Sequence, residues 1–229
     1  MSRKVFTAGE VLAAADVNSF LMDQTVMSFA GTAARGSAIP SPVEGMYTHL
    51  EDTDRLEFWN GSAWRSPFGA TLISSVSPAA VSTFAMNNIF SSEYDNYVIF
   101  LSMDRSASAT LNFQMTAGGV PNTSGNYVYV GWDVNQSGGA GILGALATTS
   151  IQIQGAATPN IPAEIKLFDP FKAKPTRGHN FSTFGDGAMQ MSMNIFSLRH
   201  AVSTSYDGLL WSVSSGTMTG TIQVYGMRK

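Results

Sequence analysis

The 229-residue sequence contains no cysteine, which excludes disulfide cross-links and thiolate metal sites and leaves packing or oligomerisation to hold the fold together. Charge is scarce: 13% of the residues are Asp, Glu, Lys or Arg, about half the ~25% of an ordinary globular chain. With a net charge of −3, and Lys and Arg scattered singly apart from Arg228-Lys229, no basic field exists to draw phosphates, so nucleic acid is set aside as a partner. No hydrophobic run approaches the ~18 residues of a membrane helix. The segment after Arg3-Lys4 is broken by Glu10 and Asp16 and lacks the apolar stretch of an export signal. The expectation is a product made soluble in the cytosol, without membrane insertion. Internal repeats at a fixed period are also missing.

Polarity is carried instead by Ser, Thr, Asn and Gln beside 44% hydrophobic residues and 22 glycines, a balance that suits sheets with neutral hydroxyl and amide faces. Three zones follow, at residues 1–32, 33–69 and 70–229. In the first, Thr7-x-x-Glu10 has the spacing of a capping box. Val17, Phe20, Leu21, Gln24 and Met27-Ser28 then recur at three- and four-residue steps, which predicts a helix of about three turns with one apolar stripe. Such a helix is marginal alone and needs its own domain, a symmetry mate or a socket on another protein.

The second zone opens with Ile39-Pro40-Ser41-Pro42, extended and non-helical. In "EGMYTHLEDTDRLEFWNGSAWRS", Met46-Tyr47 with His49-Leu50 and Leu56 to Trp59 predict two strands around an Asp52-Thr53-Asp54 turn. Asn60-Gly61 then turns into a third arm at Ala63-Trp64. In the third zone "YVIFLSM" is a nearly continuous apolar run, expected of a strand covered on both faces. "TLNFQMT" alternates, with Leu111, Phe113 and Met115 on one side. "NYVYVGW", "SIQIQ", "AEIKLF", "MQMSMNIF", "LLWSVSS" and "TIQVYGM" follow between turn-forming residues. The fold class expected is mainly β: a short N-terminal helix, a small β-meander and a C-terminal antiparallel β-sandwich, jelly-roll-like, with a barrel as the alternative.

"FTAGEVLAAADVNSFLMDQ" followed by "ARGSAIPSPVEGMYTHLEDTDRLEFWNGSAW" resembles the N-terminal region of bacteriophage virion appendage proteins, chiefly tail fibres and related minor tail or head-fibre proteins. "YDNYVIFLS", "TLNFQMTAGG" and the closing "IQVYGMRK" are more loosely similar to appendage tip domains. The resemblance implies a homotrimeric virion protein, assembled in the host cytoplasm. Residues 6–27 would dock into a tail, baseplate or head protein through Phe6, Val17, Phe20 and Leu21. Many such fibres continue into a long repetitive shaft; this sequence does not, so the appendage would be short. A lone meander cannot stabilise itself, but three copies around an axis could bury Phe58, Trp59 and Trp64 against one another. That burial would supply several kcal/mol per chain at roughly 25 cal/mol per Å². Exposed tryptophans serving as a sugar platform are the alternative.

For catalysis, a glycan hydrolase needs two converging carboxylates. Asp133, Glu164, Asp169 and Asp186 are available, but Asp169 and Asp186 sit in turns and Glu164 alternates with Lys166 on an outward face. His49, His179 and His200 lack metal-ligand spacing, no G-x-S-x-G elbow is present, and the glycines of "SGGAGILGALA" lack the Lys-Ser/Thr ending of a phosphate loop. No enzyme, metal or cofactor is implied. Binding remains, and loops on a rigid frame are its usual place. "GWDVNQSGGAG" offers Trp132 as a stacking face beside Asp133, Asn135 and Gln136, with Trp132 as a core residue at a strand end the plainer alternative. "KPTRGHNF" offers Arg177, His179 and Asn180 to an anionic sugar or a neighbouring subunit. The function expected is host-surface attachment through avidity for saccharide. A purely structural decoration or head fibre, and a glycan depolymerase, are the alternatives; loss of product release on Asp133→Ala or Glu164→Ala would locate the latter.

Overall fold

In the run "TVMSF", the β-branched Thr25 and Val26 and the aromatic Phe29 favour an extended chain, and a strand forms, β1 (Val26–Phe29). It pairs in parallel with β2 (Tyr47–Leu50), Met27 lying opposite Thr48. The structure is a computed structural model and describes residues 7–11, 13–15, 17, 25–135, 139–154, 160–185 and 191–227. Met27 and Ser28 therefore do not close a helix as expected: at the edge of β2 their backbone gains ladder hydrogen bonds, and Ser28 Oγ reaches Glu51 at 2.8 Å. Upstream, Glu10 accepts the Thr7 backbone N–H at 3.1 Å, the carboxylate half of a capping box. Residues 14, 15 and 17 are helical, with Val17 N–H bonded to the Ala13 carbonyl at 3.1 Å. Phe6, Phe20 and Leu21 lie outside the described residues.

A seven-residue helix, α1 (Thr32–Ala38), falls where the sequence reading placed none. It has no side-chain cap, but its Arg35 is buried and reaches the second and third strands. Tertiary contact overrides weak local propensity here. Pro40 ends it, as the residue before a proline is driven out of the helical region. The chain continues as β3 (Arg55–Trp59) and β4 (Trp64–Arg65), giving a four-stranded sheet in chain order. The β3–β4 turn is held by Asn60 Oδ1, which accepts the N–H of Ser62 at 3.1 Å and of Ala63 at 2.8 Å. Gly61 takes the positive φ of 90° that the turn requires.

The chain divides into two compact units, Met1–Gly69 and Ala70–Lys229. The second is built from β5 (Ala70–Val76), β6 (Thr83–Met86), β7 (Asn96–Arg105), β8 (Leu111–Ala117), β9 (Val120–Pro121), β10 (Tyr127–Asn135), β11 (Ala140–Thr148), β12 (Ile151–Gln154), β13 (Asn160–Phe168), β14 (Thr176–Gly185), β15 (Met191–His200), β16 (Gly208–Val213) and β17 (Met218–Met227). An eight-stranded antiparallel sheet has the order β11-β10-β15-β14-β13-β7-β17-β5. A five-stranded one has the order β12-β8-β16-β6, with β9 on β8. The molecule is mainly β, as the alternation predicts.

Inward side chains of both sheets form one hydrophobic cluster, including Tyr97, Ile99, Leu101 and Met103 of β7, Leu111, Phe113 and Met115 of β8, and Trp211 of β16. Trp211 is fully buried between Phe84, at 6.5 Å, and Phe113, at 5.5 Å. The "YVIFLSM" strand is not covered on both faces. Val98 is buried, but Phe100 points outward and is 46% exposed, packing edge-on to Tyr225 at 5.9 Å. Nor is "KPTRGHNF" a loop. From Thr176 onward it is β14, in the middle of the larger sheet.

Candidate functional site

Strand alternation separates the residues expected to bind saccharide into two groups, because neighbours on a strand face opposite sides. Trp132 lies on the outer face of β10 and is 56% exposed; it is not a core residue at a strand end. Asp133 turns inward and is half-buried. Asn135 closes the β10–β11 hairpin: its side-chain oxygen accepts the Gly139 N–H at 3.0 Å, and its own N–H bonds the Gly139 carbonyl at 2.9 Å. Gln136 lies outside the described residues. On β14, His179 faces outward beside the Phe168 ring at 5.8 Å. Asn180 faces inward and is fully buried, its amide nitrogen donating to Ser182 Oγ at 3.1 Å. Asn180 therefore cannot meet an external ligand, contrary to expectation.

The register draws the outward residues into rows across the larger sheet. Ile142, Trp132, Ile195 and Phe181 stand directly opposite one another on β11, β10, β15 and β14, and all four are exposed. The row continues through Glu164 of β13 to Phe100 of β7. Around Trp132, the residues Val130, Gly131, Ile142, Ile195, Phe196 and Ser197 line a shallow, mostly apolar depression of about 380 Å³. Gly131 fits here for a steric reason: a Cβ at that position would lie 2.0 Å from the Ile195 carbonyl oxygen. Ile142 and Ile195 were not singled out from the sequence. Their alternation with small or buried neighbours was the available signal.

Two of the four candidate carboxylates are paired with lysine, while Asp133 keeps one buried oxygen without a hydrogen-bond partner among the described residues. Glu164 pairs with Lys166 at 2.8 Å on the outer face. Asp169 is held by Lys172 at 2.8 Å and Lys174 at 2.7 Å. Partial burial would raise its pKa, but those hydrogen bonds outweigh it and keep the group below its ordinary value, hence ionised. Asp186 lies outside the described residues. Among the described residues no group of three or more His, Asp or Glu could hold a metal ion. His49 pairs with Asp54 at 3.0 Å and His200 is buried.

In the N-terminal unit, Phe58 packs on Tyr47 at 5.8 Å and Trp59 meets Trp64 edge-on at 5.5 Å. The Arg35 guanidinium lies over the Trp64 ring, 4.3 Å from its centre, and is ion-paired with Glu57. Phe58, Trp59 and Trp64 are half-buried within one chain, and Tyr47 is exposed. Val17, the described member of the expected attachment stripe, is half-buried as well.

No protein-family model matches the chain, and no curated protein matches it. Among solved structures it is similar to an exo-inulinase from Aspergillus awamori, with a TM-score of 0.33 and 11% sequence identity over 80% of this chain and 34% of that one. The chain thus spans about a third of that enzyme's length.

Proposed function

We propose that this chain is a subunit of a short, homotrimeric bacteriophage appendage, a virion protein that attaches the particle to a host-surface saccharide. The observation that carries the reading is the outer face of the eight-stranded sheet, where Ile142, Trp132, Ile195 and Phe181 form one exposed row. Contiguous apolar patches on a soluble protein mark interaction sites. A shallow depression beside an exposed indole suits the flat apolar face of a sugar ring better than it suits a deeply enclosed small molecule.

The resemblance of the first 65 or so residues to appendage proteins supplies the particle context. Residues 6–27 attach to a tail, baseplate or head protein, and the sheet carrying Phe58, Trp59 and Trp64 joins three chains. The C-terminal unit is the outward β-sandwich; its two antiparallel sheets sharing one core support that description. The protein binds and does not catalyse, a reading supported by the lysine pairing of Glu164 and Asp169. No cofactor is needed.

The test combines light scattering of the full chain with decoration of cells from a bacterial panel by fluorescently labelled protein. A trimer that decorates particular cells and is displaced by their free surface polysaccharide is expected. A well-folded protein that binds none of them would leave only a structural role in the particle.

A further inference from the structure

Beside the apolar row, the same sheet face carries a pair of like charges. Arg177 of β14 and Arg199 of β15 stand directly opposite each other, both outward and both exposed. Like charges in that relation repel, and a sheet ordinarily avoids them or supplies a carboxylate. Among the described residues neither arginine has an ion-pair partner. The nearby carboxylates are committed, Glu164 to Lys166, and Asp169 to Lys172 and Lys174. Val128 and Phe168 flank the pair in its row, and Ser197 and His179 face each other in the next.

Resting on the attachment reading above, we infer that Arg177 and Arg199 form an anion subsite, so that the saccharide recognised on this face is acidic, charged by a carboxylate or a phosphate. Two guanidiniums present forked donors that match either group, and a bound anion converts their mutual repulsion into attraction. The pair lies four residues along the strands from the Trp132–Ile195–Phe181 row, about 14 Å at ~3.4 Å per residue. A short oligosaccharide can span that distance, with its charged sugar on the arginines, its hydroxyls at Ser197 and His179, and a further ring against Trp132. The sequence alone pointed at Arg177 and His179 but not at Arg199, which only the β14–β15 register brings into place.

The full chain is titrated with surface polysaccharide extracted from cells it decorates, in three forms: native, carboxyl-reduced, and dephosphorylated. Wild type should bind the native form with an affinity that falls as salt rises. Either carboxyl reduction or dephosphorylation, whichever removes the charge, should weaken it about tenfold or more, the scale of a lost charge-assisted hydrogen bond. Arg177→Gln and Arg199→Gln should weaken native binding by a similar factor while melting at or above the wild-type temperature, since each removes a repulsive partner. If the double variant binds native polysaccharide as wild type does, or both treated forms bind like the native one, acidic recognition is overturned and attachment stands. If the arginine variants instead dissociate a wild-type oligomer without changing saccharide binding, the pair meets a second copy of the chain and the inference is wrong. Decoration of no cell overturns both.

Discussion

The Nε2 atom of His200 lies 2.7 Å from the hydroxyl of Tyr206, with both side chains buried and the Tyr127 ring stacked on the imidazole at 4.0 Å. The Tyr206 hydroxyl also accepts a hydrogen bond from the Asn122 side chain at 2.9 Å, and its one proton can be donated to Nε2 of a neutral imidazole. Burial lowers the His200 pKa to about 4, with the Asn126 backbone offsetting part of the effect.

The pH dependence of stability follows with a definite sign. Below its ordinary pKa near 6.5 the unfolded chain takes up a proton that the folded imidazole refuses, so the contribution of His200 is complete above that pH. It is lost as pH falls towards about 4. At about 1.4 kcal/mol per pH unit, the loss is on the order of 3 kcal/mol. Melting temperatures from pH 8 to 4 should be level above 6.5 and drop below it, and His200→Gln should flatten the lower part of the curve.

Arg35 ties the N-terminal unit together. Its guanidinium pairs with Glu57, donates to Thr48 Oγ1 at 3.3 Å and covers Trp64. Arg35→Ala strands a largely buried carboxylate and should cost about 3 kcal/mol. The tryptophan emission of that unit should shift to the red at lower denaturant. Arg35→Met with Glu57→Leu should recover most of the loss, because no unpaired charge remains.

Two tryptophans give opposite outcomes. Trp211 fills the core shared by the two sheets, and Trp211→Ala should destabilise the C-terminal unit by about 3–5 kcal/mol. Trp132→Ala should change stability by less than about 0.5 kcal/mol, because its ring is on the surface. Chemical denaturation of both variants checks the contrast.

Gly131→Ala tests the strand contact beneath the site. A Cβ would collide with the Ile195 carbonyl and with Phe196, so β10 must shift from β15 to admit it. A loss of about 1–3 kcal/mol is expected, together with weaker saccharide binding, because the Trp132–Ile195 pairing moves with the strands.

Much of the β architecture was legible in the sequence because burial on one face writes a two-residue period. Leu111, Phe113 and Met115 alternate in "TLNFQMT" and are all buried. The "YVIFLSM" run misled for the same physical reason that makes the site: Phe100 is apolar yet outward, part of a face that binding would explain and folding does not. Residues 26–29 and 32–38 were misassigned because their structure comes from partners distant in sequence, Tyr47–Leu50 for β1 and Glu57 with Thr48 for Arg35. Asn180 was expected in a ligand-facing loop because "KPTRGHNF" reads as one, whereas its position on β14 turns it inward. Arg199 could not be paired with Arg177 without the β14–β15 register.

The most direct test of the central claim is adsorption of labelled full-length protein to cells it decorates, comparing Trp132→Ala with Val120→Ala, an apolar change at a still more exposed position on β9 of the other sheet. Attachment through the outer face of the eight-stranded sheet predicts that Trp132→Ala loses about tenfold or more in affinity, the scale of an aromatic anchor, while Val120→Ala binds as wild type. Full adsorption by Trp132→Ala would contradict it.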